Sequence, residues 1–518
     1  MKAFLMHRDR DFDLGQALPP NEQDITQDLG LETLFNAMAQ GDQFLFDVAR
    51  KAVLSSLGDP QEILYRQRVL KDCMEQPSIV REIYAIAVEA IEGERKVWHS
   101  FIQYPQAILH RAIEVLQLFV GNLKKLRSLA DEHAGKFRSD GFAAFFEMLR
   151  RELDDDYFGR VEAHLEQLRF RHGVLVSARL GKGNKGVDYV LRRPRGIRRG
   201  WRQWIPFGDP YTLVIADRDE NGARALSELR DRGLNLAANA LAQSADHILS
   251  FFTMLRAELG FYVGCLNLQG QLAQKGEPLC FPEPLAPGRP VISCRGLYDV
   301  CLSLSQENRV VGNKVDAEDK LLIMITGANQ GGKSTFLRSL GLAQLMMQCG
   351  MFVGAEVFRA DIREAIFTHY RREEDPNMNS GKWDEELSRM SEIADRVTPN
   401  SLVLFNESFS STNEREGAEI AGSIVRALLE VGVKVLFVTH SFELSHGFYA
   451  DGMDTALFLR AERQADGART FKLVEGEPLP TSFGEDLYRR IFAEAPEPRE
   501  SGPGVRDAGE RGVGAGLA

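Results

Sequence analysis

One stretch of the sequence has the residue types and spacing of a phosphate-binding loop. An apolar run at 321–325 leads into it, and a segment with helical apolar spacing follows. The loop consists of Gly327, Ala328, Asn329, Gln330, Gly331, Gly332, Lys333, Ser334 and Thr335. Glycines let backbone N–H groups surround phosphate oxygens, and the helix N-terminus adds positive potential. A chance glycine-rich turn is the alternative, but it would not bring strand, glycines, Lys-Ser and helix together in this order.

The chemistry predicted for this loop is the binding of ATP with Mg²⁺. Lys333 is expected to reach the β- and γ-phosphates, and Ser334 to offer its hydroxyl to the metal. Downstream, the apolar run 402–405 ends in Asn406 and Glu407, where ATPases of this kind carry two carboxylates. Glu407 is therefore the candidate general base. Asn406 is expected to contact the metal through a water. Because its amide is neutral, we expect lower Mg²⁺ affinity and slower turnover.

A third apolar run, 433–438, ends at Thr439 and His440. The carboxyl ends of parallel strands form the ligand-binding edge of such sheets, so His440 is a candidate sensor of the γ-phosphate. A histidine satisfied by ordinary contacts at the sheet edge is the alternative. We assign no function to His369 or His446.

A second candidate site is a strongly basic stretch between positions 169 and 202, with eleven basic residues and one acidic residue. Its candidate phosphate contacts are Arg179, Lys182, Lys185, Arg192, Arg193, Arg195, Arg198 and Arg199. The whole chain has a net charge of −11, so any nucleic-acid site must be a local patch. This density favours sequence-independent contact with a polyanion over a merely solvated arm.

These residues require several structural units to position them. Apolar residues at spacings of three and four predict helices over 24–158 and 221–268, and a turn at 181–186 between two short apolar runs predicts a β-hairpin. After a Pro- and Gly-rich stretch, alternating strand and helix signals predict a mainly parallel sheet. The fold class is therefore multidomain, α plus α/β. The predicted units are a first helical unit over 1–158, a basic hairpin insertion over 159–220, a helical return over 221–275, the ATPase domain over 276–493 and a disordered tail over 494–518.

Cysteine usage and hydropathy indicate the cellular compartment of the protein. The six cysteines show no CxxC pair and no metal-ligand spacing, which is typical of reduced, buried thiols. The N-terminus lacks an apolar segment of signal-peptide length, and no apolar run approaches the length that spans a bilayer. We therefore expect a cytoplasmic protein without membrane association.

Four segments in order, TGANQGGKST, SGKWDEEL, LVLFNESFSSTNE and VTHSFEL, resemble the ATPase motifs of the MutS family. The strong match covers about 296–449, and the helical segments before it are similar to the MutS core and lever only in pattern. The resemblance implies an ABC-type ATPase domain whose sites are completed across a homodimer. Ser380 and Gly381 would contact the partner subunit's nucleotide, Ser411, Thr412 and Asn413 would cross the interface, and His440 would be the switch histidine.

The sequence also departs from the family. Asn406 stands where the family usually has Asp, and Val310 or Val311 lies near the position of an adenine-packing aromatic. The N-terminal domains that read mismatches have no counterpart, so we expect a dimeric ATP-gated DNA clamp in repair or recombination without direct mismatch reading. Two alternatives stay open: an ATP-binding assembly module with little hydrolysis, and a MutS-like factor acting on RNA or ribosomes.

Overall fold

The computed structural model describes residues 1–97, 104–171, 173–193, 214–372, 381–464 and 468–480. Its first region is helical, as the apolar spacing predicts. The helices are α1 Glu22–Leu29, α2 Leu31–Ala39, α3 Gln43–Leu54, α4 Pro60–Glu75, α5 Pro77–Lys96, α6 Pro105–His133, α7 Asp140–Glu152 and α8 Asp155–Leu168. Asp42, Asp59, Ser139 and Asp154 cap four of them by accepting backbone N–H groups with their side chains. Because α8 passes through position 158, this helical region continues to Leu168 rather than ending where the sequence analysis divided it.

The predicted hairpin is present, formed by β1 Leu175–Leu180 and β2 Gly186–Arg192 in antiparallel pairing. It leads to α9 Glu220–Gln274, a single helix of 55 residues. At a rise of 1.5 Å per residue this helix is roughly 80 Å long. The hairpin packs directly on α9, since a Cβ added at Gly233 would lie 2.6 Å from a methyl group of Val176.

The C-terminal half of α9 lies in the hydrophobic core, where Phe252 packs against Phe119 of α6 with ring centroids 5.6 Å apart. Among the described residues, α9 is the one helix whose length and composition would suit a membrane span, with a window of mean hydropathy 1.3. Of that window, 67% is buried inside the protein. The sequence analysis found no run of this kind, and burial in the core accounts for its composition.

The remaining described chain forms an α/β unit with a mainly parallel six-stranded sheet, as predicted. Its elements are β3 Glu283–Leu285, β4 Ile292–Leu297, α10 Val300–Ser305, β5 Asn313–Asp316, β6 Leu322–Gly327, α11 Lys333–Gln348, β7 Val357–Asp361, β8 Ile366–Tyr370, α12 Lys382–Ala394, β9 Leu402–Asn406, α13 Glu414–Glu430, β10 Lys434–Val438, α14 Phe442–Ala450, β11 Ala456–Arg463 and β12 Arg469–Glu475. The main sheet has the order β12-β11-β6-β10-β9-β8, with only β12 antiparallel to its neighbour. A smaller mixed sheet of order β3-β7-β4-β5, which the sequence patterns did not predict, packs beside it.

The first twelve residues, for which the sequence predicts no element, are built into the core beside α9. Glu258 of α9 is fully buried, and its carboxylate accepts the backbone N–H groups of Leu5 at 2.6 Å and Phe12 at 3.3 Å. One turn further along α9, the Tyr262 hydroxyl donates to the carbonyl of Leu5 at 2.5 Å. The N-terminal segment is therefore held by polar contacts that its own sequence does not reveal.

A buried arginine of α4 joins this segment to the ATPase unit. The Arg66 guanidinium donates to the carbonyl of Met6 at 3.2 Å and to the carbonyl of Cys349 at 3.0 Å. Cys349 is the C-terminal cap of α11, the helix that follows the phosphate loop. We call the contacts of Arg66, Glu258 and Tyr262 with residues 4–12 and Cys349 the core junction. It connects α11 to the long helix α9.

Candidate nucleotide site

Three adjacent strands of the main sheet bring the predicted site residues to one edge. β10 lies between β6 and β9, and all three run parallel. Their carboxyl ends therefore bring the loop that begins at Gly327, the pair Asn406 and Glu407, and His440 together. The strands themselves are almost wholly buried, which explains their continuous apolar runs.

The loop between β6 and α11 needs its glycines for both conformation and space. Gly332, the N-cap of α11, has φ of 89°, a left-handed conformation that favours glycine. A Cβ on Gly331 would lie 2.6 Å from the Cβ of Ala461 on β11 and 2.9 Å from the carbonyl oxygen of Ala328. Asn329 and Gln330 are exposed at the crest of the loop. The backbone of this loop can therefore approach a ligand where side chains would block it.

Lys333 begins α11, and its amine lies inside the loop. It donates to the carbonyl of Gly327 at 2.9 Å and to that of Ala328 at 3.0 Å. Burial lowers the pKa of Lys333 to about 8, while the nearby Glu407 carboxylate opposes that change. A phosphate would restore the favoured ammonium form, because an adjacent negative charge stabilises it.

Ser334 and Asn406 form the oxygen pair expected of a magnesium site. The Ser334 hydroxyl donates to the side-chain oxygen of Asn406 over 2.8 Å, although the two residues are 72 positions apart in the chain. Mg²⁺ takes oxygen ligands and keeps several waters, so a hydroxyl with a neighbouring amide oxygen fits the ion. No cluster of three or more His, Cys, Asp or Glu side chains suited to a metal occurs among the described residues. This pair therefore offers fewer charges than a dedicated all-protein metal site.

Glu407 and His440 face each other at the same edge. His440 Nε2 lies 2.8 Å from Glu407 Oε1, and both side chains are about one-third exposed. The hydrogen bond from His440, together with the positive charges of Lys333 and Arg371, lowers the pKa of Glu407 against the effect of burial. Glu407 is thus ionised at neutral pH. Its φ of 55° is a left-handed conformation that costs a non-glycine residue roughly 1–2 kcal/mol.

A cavity of about 410 Å³ opens beside the loop, next to Gly332 and Thr335. Val310 and Val311 line it. It also has an aromatic wall, Phe471 of β12, which the sequence analysis missed. Phe471 could not be recognised from the sequence around the loop. It lies far downstream and reaches the cavity only because β12 pairs with β11.

Comparison with known proteins assigns most of the chain to one family. A family model described as the MutS2 N-terminal domain matches residues 58–275, and one described as MutS domain V matches residues 323–495. Together the two matches cover more than half of the chain. The chain belongs to the MutS family.

Three curated relatives show how far the similarity extends. The mouse (Mus musculus) MutS protein homolog 4 is 33% identical over 152 residues, 29% of this chain and 16% of that protein. Endonuclease MutS2 of Lacticaseibacillus casei is 35% identical over 187 residues, 35% of this chain and 23% of that protein. DNA mismatch repair protein MutS of Lactobacillus delbrueckii subsp. bulgaricus is 30% identical over 247 residues, 45% of this chain and 28% of that protein. The matched segments thus span less than a third of each relative.

Of the residues that the MutS resemblance assigns to a subunit interface, the described ones lie at two helix N-termini. Gly381 is the N-cap of α12, while Ser380 lies outside the described residues. Ser411 and Thr412 precede α13, and their hydroxyls donate to Glu386 and Glu416 at 3.1 Å each. Both hydroxyls are thus hydrogen-bonded within the chain.

The basic hairpin extends from α9, and its described basic side chains are all exposed. These are Arg179, Lys182, Lys185, Arg192 and Arg193. Lys182 and Lys185 lie at the tip, and Arg179 is 3.5 Å from Asp188 in an exposed ion pair. Arg195, Arg198 and Arg199, with Trp201 and Trp204, lie outside the described residues. The cationic tip is thus carried by a long helix whose C-terminal half lies in the core.

Proposed function

We propose that this chain is an ATP-dependent DNA-binding protein of the MutS family, a homodimer in which ATP gates a clamp during DNA repair or recombination. The observation that carries the proposal is the meeting of Lys333, the Ser334–Asn406 pair and the Glu407–His440 pair at one sheet edge. Relatives named for mismatch repair and for MutS2 endonuclease support the cellular role.

ATP with Mg²⁺ would be held by the loop and the cavity beside it. The backbone of residues 327–335 and the Lys333 amine would bind the phosphates, and Ser334 would contact the metal, with Asn406 acting through a water. The base would enter the cavity walled by Val310, Val311 and Phe471. Bound ATP supplies the phosphoanhydride that is hydrolysed to ADP and phosphate.

Hydrolysis would depend on Glu407 and His440. An ionised Glu407 can orient and polarise a water, and His440 holds the carboxylate through its hydrogen bond. Asn406 brings no charge to the metal, so we expect slow turnover. The favoured state of the protein would then be the ATP-bound one.

Dimerisation would complete each site. Following the MutS resemblance, Ser380, Gly381, Ser411 and Thr412 would approach the nucleotide of the partner subunit. Closure of the two ATPase domains would move α11, and the core junction links α11 to α9. The basic hairpin at the far end of α9 would thereby grip or release DNA through phosphate contacts that do not depend on sequence.

The decisive test is to measure DNA affinity with and without ATP and Mg²⁺ over a series of salt concentrations. We expect ATP to change the affinity, and the paired change Lys182→Ala with Lys185→Ala to reduce the salt slope by about two. The matched control replaces Lys124 and Lys125, exposed lysines of α6 that form ion pairs with glutamates. A duplex affinity that is insensitive to both ATP and the hairpin charges would refute the clamp. Higher affinity for structured RNA than for duplex DNA would favour a role on RNA.

A second candidate is an assembly module in which ATP binds but is scarcely hydrolysed. The neutral Asn406 opposite Ser334 favours it, because a carboxylate is the usual anion at this point. Sedimentation with ATP, compared with turnover under the same conditions, separates the two. Dimerisation driven by ATP without measurable phosphate release would support the assembly module.

A further inference from the structure

The chain around the candidate general base makes an unusual turn. We call residues 406–411 the Glu407 turn. Within it, Glu407 has φ of 55° and Phe409 has φ of 61°, so two non-glycine residues adopt the left-handed conformation within three positions. Such conformations persist where the surroundings hold them, and they concentrate at functional sites. The contacts that hold this turn therefore also hold Glu407.

The main contact is a histidine from the neighbouring strand β8. His369 is fully buried, and its Nδ1 lies 2.8 Å from the Ser408 hydroxyl. The same hydroxyl also lies within hydrogen-bond distance of the backbone carbonyl of His369, so its one proton is shared between the carbonyl and Nδ1. The imidazole ring also stacks on Phe409, with centroids 5.2 Å apart and an interplanar angle of 15°. His369 thus contacts both residues that directly follow Glu407.

The other ring nitrogen of His369 reaches α12. Its Nε2 donates to the carbonyl of Glu386 at 3.0 Å. The Glu386 side chain, which is also buried, accepts the Ser411 hydroxyl at 3.1 Å. Burial lowers the pKa of His369 to about 4, so the ring is neutral at physiological pH and Nε2 carries its proton. Ser408, through His369, and Ser411, directly, are therefore both tied to Glu386 of α12.

That helix begins at Gly381, in the segment assigned above to the partner subunit's nucleotide. Trp383, in its first turn, lies edge-on to Phe409 with ring centroids 6.3 Å apart. A displacement of the N-terminus of α12 would thus act on the turn through Trp383, Glu386 and His369.

We propose that His369 and Glu386 are positioning residues that hold Glu407 in its working orientation and make turnover at one ATP site depend on the state of α12. This proposal rests on the proposed function. It assigns a role to a histidine whose sequence context gave no sign of one. The alternative is that His369 only fills the core between β8 and α12.

The test compares Ser408→Ala, which removes the bridging hydroxyl, with Ser408→Thr, which keeps it. We expect Ser408→Ala to lower kcat for ATP roughly 10- to 100-fold, the range expected when a catalytic group is misplaced. The dissociation constant for ATP and the KM should stay within twofold, because the phosphate loop is untouched. Ser408→Thr should recover most of the rate, and the control Ser423→Ala, an exposed serine of α13, should have no effect. His369→Phe, which keeps the stack on Phe409, should match Ser408→Ala.

Trp383 provides a second readout that does not depend on turnover. In a background where the other three tryptophans are replaced by phenylalanine, ATP with Mg²⁺ should change the Trp383 fluorescence, and Ser408→Ala should reduce that change at least threefold at equal ATP occupancy. If kcat and fluorescence both match wild type in Ser408→Ala and His369→Phe, the coupling is wrong and the residues only fill space. Equal losses of kcat and ATP affinity would also overturn it. A wild-type chain that bound no ATP would instead refute the proposed function itself.

Discussion

The two ends of α11 are built in opposite ways. At its N-terminus, nine consecutive residues form the phosphate loop, and the key contacts join positions five or six apart, such as Lys333 with Gly327. At its C-terminus, Cys349 meets Arg66 across 283 positions of sequence, and Arg66 meets Met6 across 60 more. One end is a contiguous motif and the other is assembled from three distant segments.

The difference shows that the loop depends on neighbouring residues, whereas its connection to α9 depends on tertiary contacts. The phosphate loop uses backbone groups and helix geometry that any chain with this pattern provides. The core junction consists of side-chain contacts that form only when the fold brings distant segments together. We therefore expect changes at the C-terminal end to affect stability and coupling, and changes at the N-terminal end to affect ATP binding.

The largest expected effect is the loss of stability in Arg66→Ala. Two carbonyl groups, those of Met6 and Cys349, would be left buried without this donor, at about 1–3 kcal/mol each, and a cavity would add to the loss. We expect the free energy of unfolding to fall by about 4 kcal/mol in urea titrations followed by circular dichroism. Arg68→Ala, an exposed neighbour on the same helix, should change it by less than about 1 kcal/mol. Similar losses in the two variants would contradict the importance of the core junction.

The next effect is a pH dependence from Glu258. Burial raises the pKa of Glu258 to about 7 from 4.5, with Asp11 adding to the rise and the N–H groups of Leu5 and Phe12 opposing it. Because the folded state holds this proton more tightly than the unfolded chain, its contribution is complete below about pH 4.5 and is lost as the pH rises towards 7. The loss is on the order of 3 kcal/mol.

Comparison with Glu258→Gln isolates this contribution, since the amide does not titrate. The difference in the free energy of unfolding between wild type and variant, measured in urea, should decrease between pH 5 and pH 8. Burial is the main cause that lowers the pKa of His7, at the same junction, to about 3. His7 therefore makes the free energy of unfolding rise with pH, opposite to Glu258. This contribution is the same in both proteins and cancels in the difference. A difference that stayed constant with pH would show that Glu258 keeps an ordinary pKa.

At the other end of α11, Lys333→Ala should weaken ATP binding about 100-fold, or roughly 2.7 kcal/mol. The phosphates would lose their charged donor, whereas the free energy of unfolding should hardly change, because the Lys333 amine is costly to bury. Isothermal titration with ATP and Mg²⁺ measures the loss. Lys320→Ala, which changes a partly exposed lysine just before β6, serves as the control. Unchanged ATP affinity in Lys333→Ala would remove the basis of the candidate site.

The smallest expected effect is a gain in Asn406→Asp. A carboxylate facing Ser334 would bind Mg²⁺ more tightly, and we expect turnover to rise about tenfold, or 1.4 kcal/mol in the barrier. Phosphate release measured over a series of Mg²⁺ concentrations should also show a lower requirement for the metal. Asn239→Asp adds the same charge on an exposed face of α9 and should change neither quantity. A fall in turnover would indicate that Asn406 has a role of its own in this chain.

Much of the architecture could be predicted because its signals are periodic or contiguous. The helices before 168, the hairpin around 181–186 and the three strands that end at Gly327, Asn406 and Val438 all follow from spacing. The sequence did not predict the structural roles of Phe471, Arg66 and His369. Phe471 is exposed on an edge strand, and the other two are single polar residues in helix and strand patterns that gave no sign of a partner.

The sequence by itself determined that a glycine-rich loop precedes a helix, that an amide and a carboxylate follow an apolar strand, and that a basic hairpin interrupts a helical region. These are properties of neighbouring residues, and local geometry turns them directly into structure. Only the tertiary structure decided that Ser334 meets Asn406, that Glu258 holds the N-terminal segment and that His369 grips the Glu407 turn. Such contacts form because burial forces each polar group to find a partner wherever the packed chain offers one, and no local pattern records that partner.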